Sequence, residues 1–262
     1  QYGTDDPECH SRILFSESLD QGAHWSTPEE ISSFLGNCVD DDGTAEGAVP
    51  AYGTRGEVYV GWALDQSIWM SSKKGKRWET RPIARQEAGW TQSYAGFDRC
   101  NGMPVTVVDH CKDSPFYGRV YVCWGDQNKN FGGEIYFAFS DDHGKNWSDP
   151  QRISQGGKSD QFLPWLTIDP TTGALFAVYY DRRNTDSPTE TNTYLAHSTD
   201  GGTHWSEFKI NNAAFYPSDQ IFMGDYNHIS AHGGIVRPIW TELRDNKKSI
   251  WTYPLDFKFS MH

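Results

Sequence analysis

The stretch "SDDHGKNW" (residues 140–147) decides the fold, because its frame returns along the chain. The frame, Ser-x-Asp-x-Gly-x-x-Trp, recurs as "STDGGTHW" (residues 198–205) and as "SLDQGAHW" (residues 18–25). A fourth copy, "SSKKGKRW" (residues 71–78), has Lys73 where the others have Asp. The copies start 53, 69 and 58 residues apart, and periods near 50 indicate an array of one supersecondary unit.

The residue types predict a structural role for the frame. An Asp side chain accepts hydrogen bonds from backbone N–H groups in its own turn, and Gly supplies a positive φ. The Trp is expected to pack the turn onto its sheet. Lys73 favours this interpretation, because a catalytic carboxylate does not become lysine while the turn is kept.

The segments around each frame predict four strands per unit. A β-rich run such as "EIYFAF" precedes the frame and an extended stretch such as "SDPQRIS" follows it. Upstream lies a second pair, such as "FLPWLTIDPTTGALFAVYYD", which ends in an aromatic and an acidic residue. Four strands per unit of about 50 residues is the pattern of a propeller blade. We therefore expect an all-β fold: one β-propeller over residues 1–262, built from four-stranded antiparallel blades with the frames as hairpins. Because the chain enters its first blade near Ser11, we favour five blades, with six and missing upstream residues as the alternative.

Composition excludes several classes of protein. The 262 residues include 35 acidic and 23 basic side chains, for a net charge of −12. A nucleic-acid-binding domain would be expected to have a basic face. No run approaches the 18 or so apolar residues that a membrane-spanning helix needs. We expect neither nucleic acid nor a membrane span.

Five cysteines bear on the compartment. Cys9 and Cys38 flank the first frame, and Cys100 and Cys111 bracket a short loop. We expect two disulfides from these pairs, with Cys123 as a buried free thiol in an apolar strand. Disulfides are typical of oxidising compartments, so a secreted or periplasmic protein is inferred.

Four segments resemble a known family. They are "DDDGTAEGAVPAYG", "RCNGMPV", "YYDRRN" and "GDYNHISAHGGIVRPIWT". Together with the repeated frame, the Asp-box or BNR repeat, they make the chain similar to the sialidase (neuraminidase) superfamily. Within it, the chain looks like the secreted bacterial exo-sialidase-like proteins. The resemblance covers nearly the whole chain. It is strong for the fold and weak for the reaction, because such propellers include hydrolases, lyases and non-enzymatic binders.

Polar residues recur where loops should meet at one mouth of the propeller. Loops that enter the innermost strands contribute Glu46, Asp98, Arg99, Asp160, Gln161, Asp225, Tyr226 and His228. Loops that join second and third strands contribute Asp65, Asp126, Asp181, Arg182, Arg183, Glu242 and Arg244. This recurrence predicts a lined pocket. Structural ion pairs between blades are the alternative for each residue.

The resemblance implies specific roles at this mouth. Sialidases use a Tyr nucleophile polarised by a Glu, together with an acid, usually Asp. Tyr226, Glu46 and Asp98 are the expected catalytic residues. Because an Arg fork binds a carboxylate bidentately, an Arg cluster would clamp the sugar acid. The expected substrate-binding residues are Arg99, Arg182, Arg183, Arg237, Asp181, Asp225 and Asp160. The Arg-Ile-Pro motif of the family is absent, so these clamps are assigned by position alone.

Other polar features have bland readings. We expect no metal or cofactor, with Ca²⁺ on the acidic stretch at residues 40–42 and Glu46 as the alternative. His228 and His232 share one face of a strand, where packing is favoured over metal binding.

The tryptophans and loop aromatics divide into two groups. Trp62, Trp124 and Trp240 end apolar strands and are expected in the core. The polar loop "GWTQSYAGFDR" is expected to expose Trp90, Tyr94 and Phe97 for stacking on sugar rings.

The leading expectation is a secreted sialidase-like glycoside hydrolase acting on terminal sugars of glycans, sialic acid among them. A non-catalytic carbohydrate-binding propeller and a lyase or hydrolase on another anionic polysaccharide are the alternatives. All three take a glycan as partner. Three Arg guanidinium groups near Tyr226 would favour the sialidase, and only paired charges would favour binding.

Overall fold

The computed structural model describes residues 3–128, 132–183, 185 and 187–257. Within these ranges the chain forms antiparallel β-sheets and no α-helix. The predicted all-β class is confirmed. Among the same residues there is also no helix long and apolar enough to cross a membrane.

The strands follow one another in repeated units. The first unit is a pair, β1 (Leu14–Phe15) and β2 (Glu29–Glu30). The second contains β3 (Glu46–Tyr52), β4 (Val58–Leu64), β5 (Ser67–Lys74) and β6 (Arg77–Arg85). A short pair, β7 (Thr91–Gln92) and β8 (Cys100–Asn101), precedes the third unit. That unit contains β9 (Val105–Val108), β10 (Val120–Asn128), β11 (Gly132–Ser140) and β12 (Gln151–Arg152). The fourth contains β13 (Gln161–Ile168), β14 (Leu175–Asp181), β15 (Asn192–Ser198) and β16 (Ser206–Lys209). The last contains β17 (His228–His232), β18 (Ile235–Arg244), β19 (Lys247–Thr252) and β20 (Leu255–Asp256).

The units are arranged as propeller blades. In the second and fourth units, hydrogen-bonded strand order equals chain order, so the first strand is innermost and the last is outermost. The inner strands lie together, since β9 contacts β3 and β13, and β13 contacts β17. This is the predicted propeller of four-stranded blades. The first unit is a two-stranded sheet, and the count of five blades stays a prediction.

The second strands of two blades are buried along their whole length. All seven residues of β4 and of β14 are buried, because neighbouring blades cover both faces of these strands. Trp62, Trp124 and Trp240 are at most 4% exposed, as their positions at strand ends predicted.

The Asp-box turns share one hydrogen-bond network. In the third frame, Ser140 Oγ donates to Asp142 Oδ1 and accepts from the Gly144 amide, both at 2.9 Å. The Asn146 amide donates to Asp142 Oδ1 at 2.9 Å. The same bonds recur in the first frame, with Ser18, Asp20, Gly22 and His24, and in the fourth, with Ser198, Asp200, Gly202 and His204. The predicted structural role of the Asp is confirmed in these frames.

The second frame folds differently. Lys74 pairs with Arg77 in the β5–β6 ladder, so the loop between them has two residues and begins with Gly75 at φ +67°. Gly at the first loop position is typical of tight hairpins. Lys73 forms an ion pair with Glu29 at 2.6 Å. The expectation that Lys73 preserves the turn was wrong, because a backbone ladder replaces the Asp network.

The frame's Trp joins neighbouring blades. The ring of Trp78 lies edge-on to Phe15 of the first unit, with centroids 5.1 Å apart. Trp205 meets Phe137 of the third unit in the same way at 5.5 Å. These two tryptophans thus pack their units against the preceding ones. Trp25 in the first frame differs, being 66% exposed.

The cysteines form one of the two expected disulfides. Cys9 and Cys38 are bonded, whereas Cys100 and Cys111 are buried free thiols, as is Cys123. The predicted Cys100–Cys111 bond was wrong, because β9 runs between the two residues and separates them along an extended chain. Cys111 Sγ instead donates to the carbonyl of Thr171 at 3.3 Å.

Candidate active site

Two inner strands are irregular at the mouth, the end of the propeller where β3, β13 and β17 begin. The β3–β4 register shifts between Glu46 and Val49, and the β13–β14 register shifts between Phe162 and Trp165. Leu163, inside the second irregularity, has φ +52°, which costs a non-glycine residue about 1–3 kcal/mol. Bulges re-aim side chains beside functional sites. Here they lie on either side of the central channel.

Most of the predicted catalytic group meets at this mouth. A cavity of about 220 Å³ is lined by Asp98, Arg99, Asp225 and Tyr226, together with Asp40. These residues come from the β2–β3 loop, the loop before β8 and the loop before β17. Loops far apart in the chain therefore converge as the blade geometry predicted.

Glu46, the first residue of β3, belongs to the same group. Burial raises the pKa of its carboxyl, and the charges of Asp40 and Asp225 raise it further, while Arg99 opposes them. Burial likewise raises the pKa of Asp225; Arg99 lowers it, and Asp40 and Asp98 raise it. Two carboxyl groups on different blades thus hold protons to higher pH than usual.

Arg99 is the one guanidinium among the described residues that line this cavity. Its side chain is 54% exposed. Its NH2 lies 4.0 Å from Asp40 Oδ2, and its Nε lies 3.7 Å from Asp225 Oδ1. These contacts are longer than charge-assisted hydrogen bonds, so the guanidinium remains open to a ligand.

Tyr226 stands at the edge of the cavity and is 58% exposed. Its Oη contacts Met103 Sδ at 3.5 Å. Partial burial raises the pKa of the phenol, and the charges of Asp225 and Glu46 add to the effect. The resting side chain is therefore a neutral phenol that needs a proton acceptor before it can act as a nucleophile.

A second cavity, of about 580 Å³, opens beside the first in the central channel. The two share Asn101, Met103, Asp225 and Tyr226. Trp165 lies on its wall, contributed by β13.

One of the two histidines of β17, His228, takes the packing role that was favoured. The ring of His228 packs on Trp165 with centroids 4.5 Å apart, and burial lowers the pKa of His228. His232 lies at the other end of β17. His228, which was not chosen as a site residue, lines the large cavity.

Arg182, one of the expected clamps, is bonded inside the protein. It is 5% exposed, and its NH2 donates to the Ala95 carbonyl at 2.5 Å. Its Nε donates to Thr191 Oγ1 at 3.3 Å, and its NH1 lies 3.7 Å from Asp160 Oδ2. Arg182 and Asp160 connect segments beneath the mouth and line neither cavity.

Arg183 is also held internally. It forms an ion pair with Asp181 at 2.5 Å and a second with Glu207 of the outer strand β16. Its guanidinium lies 4.3 Å from the centre of the Tyr194 ring. Asp181 itself is fully buried. These residues stabilise one blade and do not reach the mouth cavities.

Arg237 is the third residue of β18 and lies opposite Ser230. Its side chain is exposed, and it lines neither mouth cavity.

Asp126, one of the recurring carboxylates, has a structural role: it accepts the Glu87 and Ala88 amides at 2.8 and 3.1 Å and so joins two blades. The structural alternative therefore describes Asp126.

The expected sugar-stacking loop aromatics are buried. Trp90, Tyr94 and Phe97 are 4%, 3% and 5% exposed. Tyr94 stacks on Phe162 at 4.4 Å, and Phe97 meets the same ring edge-on at 4.9 Å. The expectation of exposure was wrong, because Trp90 packs into the core shared by the second and third units, and Tyr94 and Phe97 pack into the core shared by the fourth and last units.

In the acidic stretch before β3, two carboxylates accept hydrogen bonds from backbone amides. Asp41 accepts the Gly43 amide at 2.9 Å, and Asp42 accepts the Thr91 amide at 2.7 Å. No group of three or more His, Cys, Asp or Glu residues is arranged for a metal within the described ranges. The expectation of no metal, with calcium as the alternative, stays untested.

Sequence reasoning missed several lining residues. Asp40 was considered only for calcium, and Asn101, Met103 and Trp165 were not chosen as site residues. Asn101 ends β8, Met103 lies two residues before β9, and Trp165 is the fifth residue of β13. Extending the search from the loops into the first five residues of the strands would have included them.

Comparison with solved structures identifies propellers of several specificities. An α-L-arabinanase from Penicillium chrysogenum, complexed with arabinobiose, matches with a TM-score of 0.52 and 16% identity, over 79% of this chain and 61% of its own. A Hadza microbial sialidase matches with a TM-score of 0.52 and 13% identity, over 88% of this chain and 51% of its own. The endosialidase of phage phi92 matches with a TM-score of 0.57 and 11% identity, over 91% of this chain and 40% of its own.

All three identities are below 25%, so these matches show a similar fold and nothing finer. The chain spans 61% and 51% of the lengths of the arabinanase and the sialidase. No family model matches the sequence, and no curated protein matches it.

Proposed function

We propose that the chain carries a glycan-cleaving site at the propeller mouth, with Tyr226, Glu46 and Asp98 as its catalytic residues. The observation that carries the proposal is the cavity that Asp98, Arg99, Asp225 and Tyr226 line together, at which Glu46 adds a carboxyl group of raised pKa. The charge of Glu46 acts on Tyr226, and Glu46 itself has a raised pKa. Raising the pKa of an acceptor makes it a better base for a weakly acidic hydroxyl.

The proposed reaction is hydrolysis of a glycosidic bond. Tyr226 Oη attacks the anomeric carbon as its proton passes to Glu46, and the bond to the leaving oxygen breaks. Asp98 protonates that oxygen. Water then attacks the tyrosyl-linked carbon as the ionised Asp98 takes a proton from it. The bond to Tyr226 Oη breaks as Glu46 returns its proton to that oxygen, which releases the sugar and restores all three residues. The fold similarity to an arabinanase and two sialidases supports a glycan substrate.

The charges at the mouth bear on the finer question of which sugar is cleaved. Four carboxyl groups, those of Asp40, Glu46, Asp98 and Asp225, surround the single guanidinium of Arg99. A sialic acid carboxylate would pair with Arg99 against repulsion from these groups. A neutral terminal sugar meets no such penalty. We therefore propose that neutral glycosides are cleaved faster than sialosides. The sequence analysis expected either three arginines near Tyr226 or a mouth with only paired charges. Among the described residues, neither arrangement is present.

We propose that the protein acts outside the cytoplasm. The Cys9–Cys38 disulfide favours an oxidising compartment, where extracellular glycans are available.

The test is a panel of fluorogenic 4-methylumbelliferyl glycosides that includes the α-L-arabinofuranoside and the α-sialoside. At least one is expected to be hydrolysed, and Tyr226→Phe and Glu46→Gln should each lower kcat at least about 100-fold, within the range for acid–base catalysis. Tyr253→Phe, at an exposed tyrosine outside the mouth, is the matched control and should retain full activity.

Absence of turnover on every glycoside would overturn the proposal. Glycan-array binding that survives Glu46→Gln would then favour the non-catalytic alternative. Release of an unsaturated sugar, detected by its ultraviolet absorbance, would identify a lyase instead.

A further inference from the structure

The large cavity beside the catalytic group has a wall suited to a sugar ring. The Trp165 ring and the His228 ring pack at 4.5 Å with their planes tilted by 36°. Tyr226 stands edge-on to Trp165, with centroids 6.3 Å apart. Together they form an aromatic wall that extends from the catalytic tyrosine into the channel. We call it the Trp165 wall.

The remaining lining is mostly apolar. Met103 and Pro164 flank the Trp165 wall. Ligand pockets of this size typically combine apolar and aromatic walls with a few placed polar groups. Because burial lowers the pKa of His228, its ring is neutral near neutral pH and does not add charge to the wall.

One buried polar group lies in the same cavity with capacity to spare. Asn227 is 2% exposed, and its Nδ2 donates to the Leu163 carbonyl at 3.0 Å. Its Oδ1 has no hydrogen-bond partner in the described part of the chain. Buried acceptors are normally satisfied, and a sugar hydroxyl is a donor of the right kind.

We propose that this cavity binds a second sugar residue of the glycan, stacked on the Trp165 wall and hydrogen-bonded to Asn227. Tyr226 lines both cavities, so a chain held at the catalytic group continues past it into the channel. The substrate is then an oligosaccharide chain and not a lone sugar on an arbitrary aglycone. This inference deepens the proposed function. It rests on that proposal for the cleavage of the glycan, whereas binding of the second sugar does not depend on cleavage.

The test measures affinity against chain length. The Glu46→Gln protein, which is expected not to turn ligand over, is titrated calorimetrically with α-1,5-linked arabino-oligosaccharides and, separately, with α-2,8-linked oligosialic acids, from one to six units. Affinity for one series should rise about tenfold between one and three units, the gain expected for one good aromatic contact and one hydrogen bond.

Variants then assign the gain to the wall. Adding Trp165→Ala should abolish the rise with length, and adding Trp165→Phe should keep most of it. Trp251→Ala, at an exposed tryptophan on β19, is the control and should leave it unchanged. If Trp165→Ala does not fold, His228→Ala, at an exposed position, should reduce the rise instead.

Two results would overturn the subsite: affinity independent of length in both series, or the same gain in the Trp165→Ala protein. A failure of the proposed function would give a different result. Oligosaccharides would bind with the length-dependent gain, yet the wild-type protein would never cleave them.

Discussion

At the residue scale, the carboxyl groups of Glu46 and Asp225 should lower stability at neutral pH. Their pKa values are raised in the folded protein, so folding favours the protonated forms. Stability then falls as the pH rises from the unfolded pKa through the folded one. Glu46→Gln and Asp225→Asn should therefore each raise the free energy of unfolding at pH 7 by about 0.5 kcal/mol, a value reduced for partial exposure.

Thermal denaturation of the variants between pH 3.5 and 7 measures this effect. The advantage of each variant over wild type should vanish towards pH 3.5, where both proteins carry neutral groups at these positions. Asp5→Asn, at an exposed site that is distant in sequence from Glu46 and Asp225, serves as the control. A stability deficit of either variant at pH 7 would show that the carboxylate makes net favourable contacts.

At the element scale, the Asp-box turn between β11 and β12 depends on one carboxylate. Backbone and side-chain hydrogen bonds, led by the Asn146 amide, lower the pKa of Asp142 to about 2. Its contribution is complete above the unfolded pKa near 4 and is lost as the pH falls through 2. Asp142→Asn should cost about 1 kcal/mol at pH 7.

Urea unfolding at pH 7 and at pH 2.5 checks this prediction. The deficit of the variant should shrink at the lower pH. Asp149→Asn, just after the same turn and exposed, should show no deficit at either pH. Equal effects of the two substitutions would contradict the assigned network. The frame that contains Lys73 has no equivalent carboxylate, and its stability should not follow this titration.

At the scale of the whole molecule, the Cys9–Cys38 bond closes a span of 29 residues. By the chain-entropy relation, such a loop stabilises the folded state by about 3.6 kcal/mol. The Cys9→Ser/Cys38→Ser double variant should lose about that amount in chemical denaturation.

The wild type should react with three equivalents of alkylating agent when denatured without reductant, since Cys100, Cys111 and Cys123 are free. One equivalent, measured by mass spectrometry, would restore the second disulfide.

The repeat frames made the fold predictable. Their spacing predicted blades, and their Asp and Gly residues predicted the turn network that three of them form. Lys73 was misread because its frame keeps the Ser, Gly and Trp letters while a backbone hairpin replaces the side-chain network. Trp90, Tyr94 and Phe97 were misread because a polar local sequence does not reveal that the side chains of a loop pack into the cores between blades.

The candidate site was only half predictable. Loop positions identified Glu46, Asp98, Arg99, Asp225 and Tyr226, because propeller geometry brings the entries of the inner strands to one mouth. The same reasoning also chose Arg182 and Arg183, whose guanidinium groups instead bind partners inside the protein. Sequence position gives the end of a strand, but not the direction in which a side chain leaves it.

The sequence by itself determined the all-β class, the four-stranded units and the structural role of the Asp-box, since these depend on local turn chemistry and on periodic burial. Only the tertiary structure decided which charges face the mouth, which arginines are buried and where Trp165 lies. Those outcomes depend on the bulges in β3 and β13 and on contacts between blades far apart in the chain. No local pattern encodes them, because they arise from the packing of several blades around one channel.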